Sequence, residues 1–338
     1  MKKLYKIGIF SLILCLFLTP FGEGKNNTPE LQPTNLERSM LQELEKDSIS
    51  FAKMKQYFKM GARLEVKNEK GSTPLILAAY NGNYPIAKYL VEKGANVNVI
   101  NKQNYTPLMF AVSHQHVCPK EHLDLVKLLV LNGAKMDYIY DGQSILGTAS
   151  LNGHIEMVKF LINNGADVNG GNLPPLFLAA YAGNLRMMDD LIQYGADINK
   201  EATTSNVNKT PLTMWAILTN NLPVLSFALN HGANPNAKMG GTALLHMAIT
   251  NKLWKAVELL VLAGADINTQ DEYGDTPLLQ AVTDSHFALM KYLIEHGADV
   301  NLCNNKKQTP LFYATNPLFA DYLKKHGATL TCSTRKYK

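Results

Sequence analysis

Cysteine is scarce in this sequence, four residues in 338, and tryptophan scarcer still at two. So few thiols exclude a scaffold built on disulfides. Charge of one sign is also lacking, with Lys+Arg at 33 against Asp+Glu at 28 and a formal net charge of +5. That bias is too weak to announce a nucleic-acid binder, and none is expected. Beyond the first two dozen residues no apolar run approaches the ~20 residues that a membrane-spanning helix needs. What is present is 46% hydrophobic and 18% charged, the composition of a folded protein with ample material for a core.

The first segment, Met1 to Gly24, begins with Lys2, Lys3 and Lys6. An apolar run from Ile7 to Leu18 follows, then Pro20 and the small residues Gly22 and Gly24. This is the pattern of a secretory signal peptide, cleaved after Gly24. Cys15 lies inside the apolar run, and Leu14 stands where a lipoprotein signal requires a small residue. The chain is therefore expected to be exported, periplasmic or secreted, with membrane attachment only if the leader is retained as an anchor. Residues 25–35, polar and carrying Pro29 and Pro33, read as a flexible spacer.

From there the chain repeats itself. Gly-Ala pairs begin at Gly61, Gly94, Gly133, Gly165, Gly195, Gly232, Gly264, Gly297 and Gly327, at intervals of 30 to 39 residues. A second marker keeps step in Thr73-Pro74-Leu75, Thr106-Pro107-Leu108, Thr210-Pro211-Leu212, Thr276-Pro277-Leu278 and Thr309-Pro310-Leu311. Degraded copies stand at Ser144-Ile145-Leu146, Pro174-Pro175-Leu176 and Thr242-Ala243-Leu244. Thr before Pro supplies a hydroxyl cap and a first helical residue with preset φ. Glycine ends a second, amphipathic helix because it can adopt the left-handed conformation. Polar sequences such as Ala166-Asp167-Val168-Asn169 then form an extended finger leading to the next pair.

These paired markers resemble the ankyrin repeat. The resemblance implies an all-α fold, an ankyrin-repeat solenoid of helix-turn-helix units with extended finger loops. Residues 36–70 would form an N-terminal cap, with its second helix starting near Asp47. Residues 71–330 would hold eight repeats, the last shortened near Asn316-Pro317, and 331–338 a basic tail. The histidine that the family carries after Thr-Pro-Leu is missing in this register, its place taken by Ile76, Met109, Gly147, Phe177, Thr213, Leu245, Leu279 and Phe312. Ankyrin repeats behind a secretory leader are unusual in eukaryotes, so the resemblance implies a bacterial setting.

Cap and repeats leave no room for a separate catalytic domain, and no nucleophile has a suitable partner, so no enzymatic activity and no cofactor are expected. His114, His116, Cys118 and His122 have residue types suited to zinc or copper and define a competing metal-binding or redox reading. Pro119 and Lys120 within that insert favour an ordinary solvated loop. His231, His296 and His326, each just before a glycine, suit helix C-termini. Cys303 and Cys332 follow consecutive Gly-Ala pairs and could staple the last two repeats. The ~8–10 Å between packed helices exceeds what a disulfide spans.

Binding remains. In ankyrin-like stacks partner contact falls on the finger tips and on the exposed end of the first helix, seven and eight residues after the Thr position. Those positions give Tyr80, Leu151, Tyr181, Ile217, Leu218 and Ile249, to which the fingers add Tyr105, Tyr140 and Tyr273. Aromatic anchors supply much of the energy of protein interfaces. The expectation is a monomeric, non-enzymatic protein-binding module, its partner a protein of unknown identity. An effector that binds a host protein is a variant of the same reading. Trp215 reads as standing where other copies have alanine, either filling a gap or reaching the groove.

Overall fold

A computed structural model describes residues 32–113, 119–204 and 207–333. The leader, the start of the spacer and residues 334–338 of the basic tail fall outside the described residues. The chain divides into two compact units, 1–140 and 141–338.

Unit 1 opens with α1 (Asn35–Glu45) and α2 (Phe51–Lys59). Two helix pairs follow, α3 (Pro74–Tyr80) with α4 (Tyr84–Glu92) and α5 (Pro107–Ser113) with α6 (Pro119–Leu131), and then the short strand β1 (Ile139–Tyr140). The spacer ends earlier than the sequence suggests. Thr34 caps α1 through the N–H of Glu37, whose carboxylate accepts from the Thr34 N–H, closing a reciprocal box. Nor does α2 begin at Asp47, which has a left-handed φ of 47°. Its cap is Ser50, which accepts from the Lys53 N–H at 3.2 Å.

Unit 2 begins with β2 (Gln143–Ser144) and the pair α7 (Ile145–Leu151) and α8 (Ile155–Asn163). Next come α9 (Pro175–Tyr181) and α10 (Leu185–Gln193). A hairpin of β3 (Ala202–Thr204) and β4 (Val207–Thr210) leads to α11 (Leu212–Leu218) and α12 (Leu222–Asn230). A second, β5 (Lys238–Met239) with β6 (Thr242–Ala243), leads to α13 (Leu244–Thr250) and α14 (Trp254–Leu262). The unit closes with α15 (Pro277–Thr283), α16 (Phe287–Glu295), α17 (Pro310–Tyr313) and α18 (Pro317–Lys325).

The pairs share a plan. Several first helices start behind a hydroxyl cap, as where Thr106 accepts from the Met109 N–H at 3.2 Å and Thr276 from the Leu279 N–H at 3.1 Å, while α9, α11 and α13 start behind Pro174, Pro211 and Ala243. Four second helices start behind Asn83, Asn184, Asn221 and His286, each accepting from the N–H three residues on. They stop at a glycine with φ between 83° and 98°, a backbone that side chains rarely tolerate.

First helices bury nearly their whole surface, Leu75 to Ala79 in α3 for example, and pack on the first helices of adjacent pairs. Second helices bury one stripe: Met187, Met188 and Leu191 in α10, and Ala256, Val257 and Leu260 in α14. The fingers are joined by asparagines. Within unit 2, Asn236 donates its amide to the Gly264 carbonyl and accepts from the Asp266 N–H at 2.7 Å, and Asn268 does the same with Gly297 and Asp299. Such bonds satisfy helix-end carbonyls that would otherwise lack a protein partner.

Candidate functional site: an exposed aromatic rim

A first helix of seven residues brings its last side chain to the edge of the pair. In α3 that residue is Tyr80, 53% exposed. Its ring meets Phe110 of α5 edge-on, centroids 5.3 Å apart. Phe110 stacks on Tyr105 of the preceding finger at 4.8 Å, and Tyr105 lies against Tyr140 of β1 at 4.4 Å. Unit 1 thus carries a continuous run of four aromatic rings, with Tyr105 touching two of the others and Tyr80 open to solvent. Ile139, next to Tyr140 in β1, is exposed. Burial, and then the neighbouring Tyr140, push the phenol of Tyr138 above its ordinary value. Ser113, the residue of α5 equivalent to Tyr80, donates its hydroxyl hydrogen to the Met109 carbonyl. The rim therefore carries no charged side chain among these residues. Phe110 went unrecognised from sequence because its position, the fourth after the cap, is normally core, as Leu77 is.

In unit 2 the expected row is only partly at the surface. Tyr181 is 40% exposed and Tyr273 65%, while Leu151 and Leu218 are half-buried. Ile217 and Ile249 are not surface residues at all, each 1% exposed. The cause is a slip of one residue. Thr210 and Thr242 read as helix caps, but each is held in a hairpin strand, Thr210 opposite Ala202 and Thr242 opposite Met239. The N-caps are Pro211 and Ala243, so the helix-edge positions pass to Leu218 and Thr250.

The same slip moves two other assignments. Trp215 occupies the position of Leu77, not that of an alanine, and lies 7% exposed against Phe177 and Tyr181 at centroid distances of 5.6 and 6.1 Å. His246 occupies the family histidine position that appeared empty. It is buried, with Nδ1 3.3 Å from the Gln280 side-chain carbonyl and Nε2 3.2 Å from the Thr269 carbonyl. His246 thus bonds to the following repeat as the family histidine does.

Of the metal candidates, His114, His116 and Cys118 lie outside the described residues. His122 is buried and packs over Gly82, where an added Cβ would come within 2.8 Å of its ring. Among the described residues no three His, Cys, Asp or Glu side chains are grouped to hold a metal. His231, His296 and His326 each place Nδ1 2.8 Å from the carbonyl four residues back, a C-terminal cap in which the ring nitrogen donates.

Cys303 and Cys332 are joined, with Cα atoms 5.4 Å apart. The helix spacing that weighed against this pairing does not apply, because both residues lie on fingers beyond the helix ends. Among the described residues no helix is long and apolar enough to cross a membrane.

Comparison with known proteins agrees with this architecture. The family model described as "Ankyrin repeats (3 copies)" matches residues 50–118, 115–202, 176–271 and 245–334. The chain belongs to the ankyrin-repeat family, and its fold is the all-α ankyrin-repeat solenoid. It is similar to the ankyrin repeat and KH domain-containing protein mask-1 of Caenorhabditis elegans, 29% identical over 209 residues, or 61% of this chain and 8% of that one. It resembles the mouse B-cell lymphoma 3 protein homolog at 31% identity over 232 residues, 66% of this chain and 43% of that protein. Alpha-latrocrustotoxin-Lt1a of the spider Latrodectus tredecimguttatus is 29% identical over 63% of this chain and 16% of its own length. The chain spans less than half the length of each of these relatives. All three come from animals, so a bacterial source rests on the leader and the resemblance alone.

Proposed function

We propose that this chain is a non-enzymatic protein-binding module that works outside the cytoplasm, with the aromatic rim of unit 1 as its principal anchor. The observation that carries the reading is the run Tyr80, Phe110, Tyr105 and Tyr140, four touching rings with solvent access at one end. Rings already packed on one another lose little further freedom on binding, so their contact area translates efficiently into affinity. An uncharged rim favours a partner segment that presents apolar side chains, with main-chain carbonyls to accept from the tyrosine hydroxyls. Tyr181 and Tyr273 are secondary contacts in unit 2. Export is supported by the leader and by a disulfide of the kind that persists in oxidising compartments.

The test is capture of partners by the purified, leaderless chain, followed by titration of the recovered protein against Tyr80→Ala and Tyr105→Ala. Affinity should fall by roughly tenfold or more for each, with unfolding midpoints nearly unchanged for Tyr80→Ala. Equal affinity of both variants and the parent would remove the rim from the interface.

A further inference from the structure

The last repeat is held differently from the others. Its first helix, α17, has only four residues, and Phe312 on it is 56% exposed. Its second helix, α18, buries Phe319 and Leu323 but leaves Leu318 57% exposed. The pair α9 and α10, by contrast, buries six residues from Pro175 to Ala180 together with Met187, Met188 and Leu191. Beyond α18 the final finger is tied to the preceding one by hydrogen bonds near the surface. Thr329 N–H donates to the Asn301 side chain at 2.7 Å, Ser333 N–H to the Asn301 carbonyl at 2.9 Å, and the Ser333 hydroxyl to Asp299 at 2.8 Å. The Cys303–Cys332 bond spans this same junction and encloses the whole of α17 and α18.

We propose that the Cys303–Cys332 bond is a reducible latch: while closed it keeps the last repeat on the stack, and a dithiol opens it from the Cys332 side, releasing that repeat alone. The two sulfurs are not equally accessible, since Cys332 is exposed and Cys303 half-buried. Sγ of Cys332 lies 3.7 Å from the Lys307 carbonyl, on an exposed residue where an attacking thiolate can reach it. The thiolate bonds to Sγ of Cys332, the disulfide breaks, and its electron pair leaves on Cys303, which takes a proton. The second thiol of the reductant then displaces Cys332, which is protonated in turn. The reductant, having given two electrons and two protons, leaves as a cyclic disulfide.

Once the tie is cut, few apolar contacts hold α17 and α18. Phe287 of α16 stands to lose both its ring partners, Phe319 at 5.3 Å and Tyr322 at 5.5 Å. Reduction therefore converts a closed end of the stack into an open, apolar one. This device is independent of the aromatic rim and stands or falls separately.

The experiment is amide hydrogen exchange on the full chain, oxidised and after dithiothreitol, with peptide mapping of alkylated thiols to follow Cys303 and Cys332. Amides from 310 to 330 should exchange roughly a hundredfold faster after reduction, while those of α9 to α12 keep their rates. The double variant Cys303→Ser/Cys332→Ser should exchange like the reduced protein and ignore dithiothreitol; if it fails to fold, reduction of the parent chain carries the test. Glutathione added briefly and quenched with acid should leave its adduct on Cys332. Free thiols at both positions in the oxidised protein, unchanged exchange on reduction, acceleration throughout the chain, or an adduct confined to Cys303 would each overturn the proposal.

Discussion

The two ends of the repeat array meet the same physical problem in opposite ways. A terminal helix pair has a neighbour on one side only, so its outer face must be made compatible with water. At the N-terminus α1 shows solvent Asn35, Arg38, Ser39, Gln42 and Glu45, while Met40, Leu41 and Leu44 are buried beneath. Glu37, itself 1% exposed, pins the helix by accepting from Arg63 Nε at 2.7 Å and Nη2 at 2.8 Å. At the C-terminus the exposed residues include Phe312, Leu318 and Leu330, and a covalent bond stands in for the missing core. A polar face with a buried stripe makes an end that persists by packing. An apolar face with little beneath it needs a tether.

That contrast can be broken most severely at the cap. Leu44→Ala removes a side chain 1% exposed and should cost about 3 kcal/mol, read from urea denaturation of the whole chain. Removing the disulfide through Cys303→Ser/Cys332→Ser should loosen the last repeat by a comparable amount, on the order of 3 kcal/mol. Exchange rates from 310 to 330 should register that loss, with those of α1 and α2 unmoved.

Glu37→Gln should be milder, roughly 2 kcal/mol, because Arg63 keeps partial access to water. Its signature is in pH. Hydrogen bonding from Arg63 lowers the carboxyl from 4.5 to about 2 in the folded chain. The ion pair's contribution is therefore complete above pH 4.5 and disappears as pH falls from 4.5 to about 2. Stability of the parent chain should fall more steeply over that window than stability of Glu37→Gln. The smallest effect is expected from Leu330→Ser, a change at a side chain 68% exposed. Thermal unfolding should report less than about 0.5 kcal/mol.

Much of this architecture is legible in the residues because its signals are local. Thr73, Thr106 and Thr276 cap helices within three residues of themselves, and each Gly ends a helix through its own φ. What escaped depends on pairing between segments. Thr210 and Thr242 carry the same cap chemistry, yet strand pairing holds them outside the helix, and that one step buries Ile217 and Ile249 and brings His246 into the family position. The N-terminal boundary was also missed, because Thr34 and Glu37 form a box whose value lies partly in Arg63, 26 residues away.

The candidate site divides in the same way. Tyr80 and Tyr181 could be selected by counting from a cap, since a seven-residue helix projects its last side chain from a known edge, and Tyr105 by its place on a finger. No count reveals that Phe110 rises between Tyr80 and Tyr105 to join their rings, because ring contact is a property of neighbouring repeats and not of either one.

The amino-acid sequence by itself determined the repeat, its helix starts and stops, and the class of fold, because caps, glycines and apolar periodicity act over a few residues of chain. Only the tertiary structure decided which rings stack, which threonine is a cap and which a strand residue, and that Cys303 meets Cys332. Those outcomes depend on distances through space, here a Cα separation of 5.4 Å between residues 29 apart in sequence, which no local propensity encodes.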